Sequence, residues 1–273
     1  MKRLVERFFG IRTPIGRVWA LALGILPLLL ILSGWIWLTR GEIEERRGGS
    51  LLPQPEEVLQ EAISLLGKQD ATRNVYRAVL MSLQRVALGF LVAAGVCLPL
   101  GVLMGAFTRI GAVFRPLSIF GGYLPVAALV PLTLLWFGTD EKQKVMFLAI
   151  AAICYLLPLV VKAVEQVDEV YLQTAWTLGA RKHQIVTKVL VPIAAAEIFE
   201  GMRLAFGVGW TYIMLAELID AKEGVGSMIL IAQRRSHPET VYFLVLLIVI
   251  VGFLLDKAFG ILGRQLFPHR NAR

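Results

Sequence analysis
The stretch LQRVALGFLVAAGVCLPLGVLMGAF, residues 83–107, decides the fold, because Arg85 is its one charged side chain over a length that can cross a bilayer. A helix rises about 1.5 Å per residue, so roughly twenty apolar residues span a hydrocarbon core of about 30 Å. Runs of the same kind flank it at 18–38, 113–137, 144–164, 194–219 and 241–262. The 273 residues are 57% hydrophobic and only 18% charged, with a mean hydropathy of +0.69. That is more apolar surface than one soluble core can hide. Continuous runs also exclude a transmembrane barrel, whose strands alternate. The expected fold is an all-α integral membrane protein with six transmembrane helices.

Six spans put both termini on one side. Lys2, Arg3, Arg7, Arg12 and Arg17 precede the first run, which ends in the interfacial aromatics Trp35 and Trp37 and so reads as a retained anchor rather than a signal peptide. The basic residues of the loops divide only mildly between the two sides. The amino-terminal tail therefore sets the orientation, with both termini inside. The chain then divides into a basic tail (1–17), a first span (18–38), an outer loop with an amphipathic helix (39–82), a five-helix core (83–262) and a second inner tail (263–273). In the outer loop, Pro53, Pro55, Glu56 and Glu57 open a helix in which Val58, Leu59, Ala62, Ile63, Leu65 and Leu66 recur at helical spacing up to Gly67. Such a helix can rest on the bilayer surface or dock an outside partner.

Enzymatic constellations do not assemble. His183, His237 and His269 fall in separate loops without metal-ligand spacing, and no G-x-S-x-G elbow or G-x-x-x-x-G-K-[ST] loop is present. No metal or cofactor is expected on this chain, and ATP chemistry would need another subunit. Cys97 and Cys154 lie in apolar runs and read as small hydrophobes. The net charge of +8 comes without a basic domain interleaved with aromatics, so membrane topology explains it better than nucleic acid.

Two spans carry helix-weakening residues: Gly89, Gly95, Pro99, Gly101 and Gly105 in the second, and Gly121, Gly122, Pro125 and Pro131 in the third. Small residues allow close helix packing, and breaks at membrane depth are tolerated where they are buried or line water. The inner loop 165–191 is too long for a simple connection. It predicts two short helices, 168–178 and 181–190, broken at Gly179 and stopped by Pro192.

The string Tyr171-Leu172-Gln173-Thr174-Ala175-Trp176-Thr177-Leu178-Gly179-Ala180, followed by Val189-Leu190-Val191-Pro192 and Gly201-Met202-Arg203-Leu204, resembles the EAA motif of binding-protein-dependent ABC transporter permeases. The resemblance runs over roughly 51–268. Ser82 to Phe90, Pro131-Leu132, Trp136-Phe137-Gly138, Ala216-Glu217, Gly224-Val225-Gly226 and Leu255-Asp256 look like the subfamily importing nitrate, sulfonate, taurine or bicarbonate. It implies a type I ABC importer permease fold, in which this segment is a coupling helix that fits a cleft of the ATPase. The implied coupling residues are Gln173, Thr174, Ala175, Leu178, Gly179, Ala180 and Arg181. The implied partners are ABC ATPase subunits, which carry ATP and Mg, a periplasmic substrate-binding protein, a second permease copy and membrane lipid. Gln173 stands where the family usually has glutamate, Thr174 where it has alanine, and Ala196 where a second proline is usual. The motif reports coupling rather than cargo, so an osmoprotectant or amino acid permease is the nearest alternative, and a membrane scaffold subunit a more distant one.

Charges and aromatics within the spans supply pathway candidates: Arg85, Tyr123, Pro125, Pro131, Trp136, Trp210 and Glu217. A charge at the bilayer centre costs at least about 2.5–3.5 kcal/mol on insertion scales, so each needs a partner or water. Arg85 has no acid within its own span. Arg203 has Glu200 three residues before it.

Overall fold
The structure is a computed structural model that describes residues 15–40, 52–67, 74–219 and 222–268. The basic residues Lys2 to Arg12, part of the outer loop and the end of the second tail lie outside the described residues. By internal contacts the chain divides into two units, Met1–Ala62 and Ile63–Arg273.

The first unit contains α1 (Arg17–Leu38), which is apolar all round and has no buried residue. Thr39 ends it, with its N–H bonded to the Trp35 carbonyl at 3.1 Å. The Trp35 indole donates to the Pro53 carbonyl at 2.9 Å and the Gln54 amide to the Thr39 carbonyl at 3.1 Å, tying the helix end to the segment at Pro53-Gln54. There α2 (Pro55–Gly67) begins with Glu56 and Glu57 in its first turn, and Glu57 accepts from the Gln54 N–H at 2.8 Å.

In the second unit α3 (Val75–Ala106) starts eight residues earlier than the sequence predicts, because Asn74 caps it by accepting from the Arg77 N–H at 3.1 Å. Its 32 residues exceed a bilayer crossing, and Arg85 lies toward the N-terminal end of the helix rather than at its middle. Nor is α3 broken. Pro99 is exposed, and the helix runs through it. The glycines act as a seam with α6 (Glu141–Glu165): a Cβ on Gly89 would lie 2.8 Å from Leu148 Cβ, one on Gly101 2.6 Å from Val160, and one on Gly105 2.7 Å from Val164. Small residues let these backbones touch, which is how helices attract one another in lipid.

The broken span is the next one. α4 (Thr108–Tyr123) and the short run from Val126 to Phe137, which ends in α5 (Leu129–Phe137), meet at an 87° bend. The break falls at Leu124-Pro125, where Pro125 precedes a single 3₁₀ turn, Val126–Ala128. Pro131 lies in the first turn of α5, where its missing N–H costs little.

After α6 come α7 (Glu169–Thr177), α8 (Lys182–Ile185) and a π-turn (Val186–Leu190) that runs directly into α9 (Val191–Leu218). Pro192 therefore does not stop the helix. The π-turn places the Val191 N–H on the Val186 carbonyl, and the proline follows where its absent donor is absorbed. α10 (Val225–Arg234) and α11 (Pro238–Leu266) complete the chain. α3 and α6 form the core with α9 across them, around Val86, Phe90, Cys97, Phe147, Leu156 and Ile213, while α11 packs on α9 and α10 and stays largely exposed.

Among the described residues four helices, α1, α3, α6 and α11, are long and apolar enough to span a membrane, and the bent α4–α5 pair makes a fifth. α9 has the length for a sixth, and Glu197, Glu200, Arg203 and Glu217 dilute its apolar character. Six crossings accommodate every long helix.

The glycine seam gives a direct test. Gly101→Leu should destabilise the protein by more than about 1–3 kcal/mol, the usual cost of overpacking, whereas Gly95→Leu, with nothing within 4 Å of the added Cβ, should be tolerated. Equal melting temperatures for the two variants in detergent would remove the seam as the basis of α3–α6 packing.

Candidate coupling loop and buried ion network
The loop between α6 and α9 is built by local rules. Asp168 caps α7, its carboxylate accepting from the Val170 N–H at 3.0 Å, and Glu169 occupies the first turn, where the helix dipole favours an acid. At the other end the Gly179 N–H bonds to the Trp176 carbonyl at 2.9 Å and the Ala180 N–H to the Ala175 carbonyl at 3.0 Å. This is a Schellman closure, which requires a left-handed residue, and Gly179 has φ +76°. A Cβ on Gly179 would meet nothing within 4 Å, so the backbone angle rather than space demands glycine. Gln184 then caps α8 by accepting from the Arg181 N–H at 2.8 Å.

Of the expected coupling residues, Ala175 is buried and Ala180 half-buried against the core, while Gln173, Thr174, Leu178, Gly179 and Arg181 are exposed. The Thr174 hydroxyl is turned back onto the Val170 carbonyl at 2.7 Å. Val170, Tyr171, Trp176 and Leu178 stand exposed, Leu178 at 82%. The loop thus presents an apolar knuckle around a glycine hinge, anchored beneath by Ala175, Ile185 and Leu190. At its base Arg115 of α4 pairs with Glu165 at the end of α6.

The pathway candidates separate into two groups. Tyr123, Pro125, Pro131 and Trp136 are exposed along the bent α4–α5 arm, Tyr123 at 84%. Arg85, Trp210 and Glu217 are buried. The Trp210 indole donates to the Ile248 carbonyl at 3.0 Å and its ring lies over Gly252, fastening α9 to α11.

Arg85 and Glu217 come together. The Arg85 guanidinium donates to both Glu141 oxygens, at 2.6 and 2.8 Å, and its Nη1 donates at 2.6 Å to Glu217 Oε1 and at 2.6 Å to the Glu223 carbonyl. Glu217 also accepts from the Ser82 hydroxyl at 2.7 Å and from the Gly226 N–H at 2.8 Å. The Ser82 oxygen in turn accepts the Val225 N–H at 3.1 Å. Gly224, at φ +124°, and Gly226 leave room for the Glu217 carboxylate, and any Cβ at Gly224 would collide with it. Burying charges is costly unless each is paired and bonded, and here every fork of the guanidinium and both carboxylate oxygens of Glu217 are used. The network locks the N-terminal part of α3, the start of α6 and the end of α9 to the start of α10.

Glu141, Ser82 and the two glycines escape a reading confined to single spans. The available signals were Ser82 one turn before Arg85 and the Gly224-Val225-Gly226 spacing. Two further features were missed. Arg203 pairs bidentately with Asp256 at 2.6 Å, a stronger contact than its 3.6 Å approach to Glu200. The Tyr155 and Tyr212 hydroxyls meet at 3.3 Å between α6 and α9.

Arg85→Met would leave Glu141 and Glu217 without their shared cation. It should cost about 3–5 kcal/mol, as for other broken buried pairs. Arg77→Met, which removes the exposed Arg77–Glu223 pair, should cost less than about 1 kcal/mol. Thermal unfolding of the purified variants decides this, and comparable losses would mean that the buried network is not what holds this end of the bundle.

Residues 97–268 match the family model described as "Binding-protein-dependent transport system inner membrane component". The Taurine transport system permease protein TauC of Escherichia coli (strain K12) is 30% identical over 270 residues, covering 98% of this chain and 96% of that protein. The Putative aliphatic sulfonates transport permease protein SsuC of Bacillus subtilis (strain 168) is 33% identical and covers 70% of each chain. The Bicarbonate transport system permease protein CmpB of Synechococcus elongatus is 28% identical, covering 94% of this chain and 90% of that protein. Among solved structures, a chain of the MetNI methionine ABC transporter in an inward-facing conformation superposes with a TM-score of 0.62 at 18% identity, covering 70% of this chain and 95% of that one, a likeness of fold. With its helical bundle, its glycine-hinged loop and this family match over most of its length, the chain belongs to the binding-protein-dependent transport system inner membrane components, as an ABC transporter permease.

Proposed function
We propose that the chain forms half of the membrane-spanning unit of an ATP-driven importer, and that its cargo is a small solute bearing an anionic group, of the taurine, sulfonate or bicarbonate kind. A second permease copy supplies the other half, two ATPase subunits dock on the inner side, and a periplasmic binding protein delivers the solute. The reading is carried by one observation: an exposed apolar knuckle, Tyr171, Trp176 and Leu178, held around a left-handed glycine between two long helices. An isolated chain gains nothing by exposing these rings, whereas a partner cleft would bury them. The basic tail before α1 supports an orientation with the knuckle and both termini on the cytoplasmic side.

The pathway in this reading runs beside the bent α4–α5 arm. Tyr123, Pro125, Pro131 and Trp136 are exposed there, and the hydroxyls of Tyr155 and Tyr212 offer the polar contact that a bare hydrocarbon surface would leave unsatisfied. Arg85, Glu217 and Trp210 hold the helices around it. ATP binding closes the partner subunits, and the loop around Gly179 carries that motion into α9.

Two measurements test this. Purification of the chain under native conditions should bring down an ATPase whose turnover rises with a loaded binding protein. A stable complex without a nucleotide-binding partner would overturn the importer reading. In proteoliposomes, Gly179→Val forces a branched side chain into φ +76° and should abolish solute uptake while ATP hydrolysis persists. Gly179→Asn, which tolerates that region, should retain most uptake. Unchanged uptake in the valine variant would remove the coupling role of the hinge.

A further inference from the structure
Toward the inner end of α9 and α11 a cavity of about 450 Å³ opens between the two helices. On α11 it is lined by Asp256, Lys257, Gly260, Gly263 and Arg264, with Phe267 just past the helix end. On α9 it is Phe199, Glu200 and Arg203. Glycine keeps it open: a Cβ on Gly263 would sit 3.0 Å from the Phe199 ring, and one on Gly260 3.6 Å from the Arg203 guanidinium.

The charges in this cavity are not equivalent. Arg203 is taken up by Asp256, with Glu200 at 3.6 Å. Lys257 and Arg264 make no ion pair among the described residues: Lys257 lies over the Phe253 ring at 5.4 Å, and Arg264 donates to the Gly260 carbonyl at 3.2 Å. Two cations therefore face the cavity seven residues apart, about 10 Å along the helix.

A second groove, of about 290 Å³, continues from the first toward mid-membrane and shares Arg203 and Asp256 with it. Its walls are apolar: Phe206, Trp210, Ile248, Gly252, Leu255 and Phe259. From Arg264 to Ile248 the pair of cavities runs sixteen residues, about 24 Å, close to the depth of one leaflet with its headgroups.

A cationic pocket at the inner interface that leads into an apolar groove has the shape and charge of one amphiphile. We propose that this groove binds an anionic phospholipid of the inner leaflet, its phosphate between Lys257 and Arg264 and an acyl chain along Phe206, Trp210 and Gly252. Free phosphate would satisfy the two cations but leave the apolar groove uncovered, whereas a lipid fills both. Basic pockets between helices on the cytoplasmic side favour anionic headgroups in this way. The inference rests on the proposed orientation only for which leaflet supplies the lipid. Its test reads binding without transport, so an inactive importer that keeps the lipid and an active one that lacks it are distinct results.

Native mass spectrometry of the purified full chain, titrated with dioleoyl phosphatidylglycerol or dioleoyl phosphatidylcholine, measures the retained lipid. The wild type should prefer phosphatidylglycerol by roughly tenfold, the scale expected for two cations near an anionic headgroup. The double variant Lys257→Gln/Arg264→Gln, both side chains exposed and outside the packed core, should lose that preference, while Arg109→Gln keeps it. Millimolar inorganic phosphate and the short-chain dihexanoyl lipid should compete poorly. Equal preference in the wild type and the double variant overturns the proposal. Displacement by inorganic phosphate would overturn it too, reassigning the pocket to a free anion.

Discussion
One end of this bundle depends on one guanidinium. Arg85 comes from α3, yet its donors end on α6 through Glu141, on α9 through Glu217 and on the segment before α10 through the Glu223 carbonyl. A planar fork has fixed directions, so the three recipients cannot slide relative to one another without breaking a charged bond. Arg85 and Glu217 are buried within the protein, so water does not readily replace what is lost between them. Close packing alone would leave some freedom along the α3–α6 seam, because small residues permit sliding as well as contact. The ion network supplies the register.

The opposite end is built on another principle. The loop around Gly179 is fixed to the bundle by apolar contacts, Ala175, Ile185 and Leu190, and by the Arg115–Glu165 pair at its base. From Lys182 to Leu218 the chain is one hydrogen-bonded rod through α8, the π-turn and α9. Its far end carries Glu217. A tilt imposed at the loop therefore reaches the buried network without an intervening joint, apart from the π-turn, where a helix can change register by one residue.

Much of this architecture was legible in the sequence, and the misses share a cause. Periodicity and run length located every long helix, because spanning a membrane leaves a one-dimensional record. The Gly179 break was legible because a Schellman closure is local. Pro192 misled because the penalty for proline inside a helix assumes a regular α-helical ladder, and the π-turn changes that ladder one residue earlier. Arg85 looked unpaired because its acids lie 56 and 132 residues away, a juxtaposition that composition does not encode. Gly101 and Gly105 read correctly as packing residues, but nothing in their spacing says that α6 is the partner.

Along the lipid-facing spans, unlike in the loop around Gly179, exposed leucines identify nothing, since lipid accepts them as readily as another helix does. The discriminating exposure is polar. Asp256 is 53% exposed although it is paired with Arg203, and the Tyr155 and Tyr212 hydroxyls share a bond of only 3.3 Å. Each leaves acceptor or donor capacity that hydrocarbon cannot satisfy. Arg85, by contrast, makes four of its five N–H bonds within the chain, and Glu217 uses both carboxylate oxygens there. These groups thus sort by where their bonds are met: Arg85 and Glu217, bonded inside the chain, hold this fold together, and Asp256, Tyr155 and Tyr212, with capacity to spare, mark faces where water, lipid headgroups or a neighbouring chain must meet it.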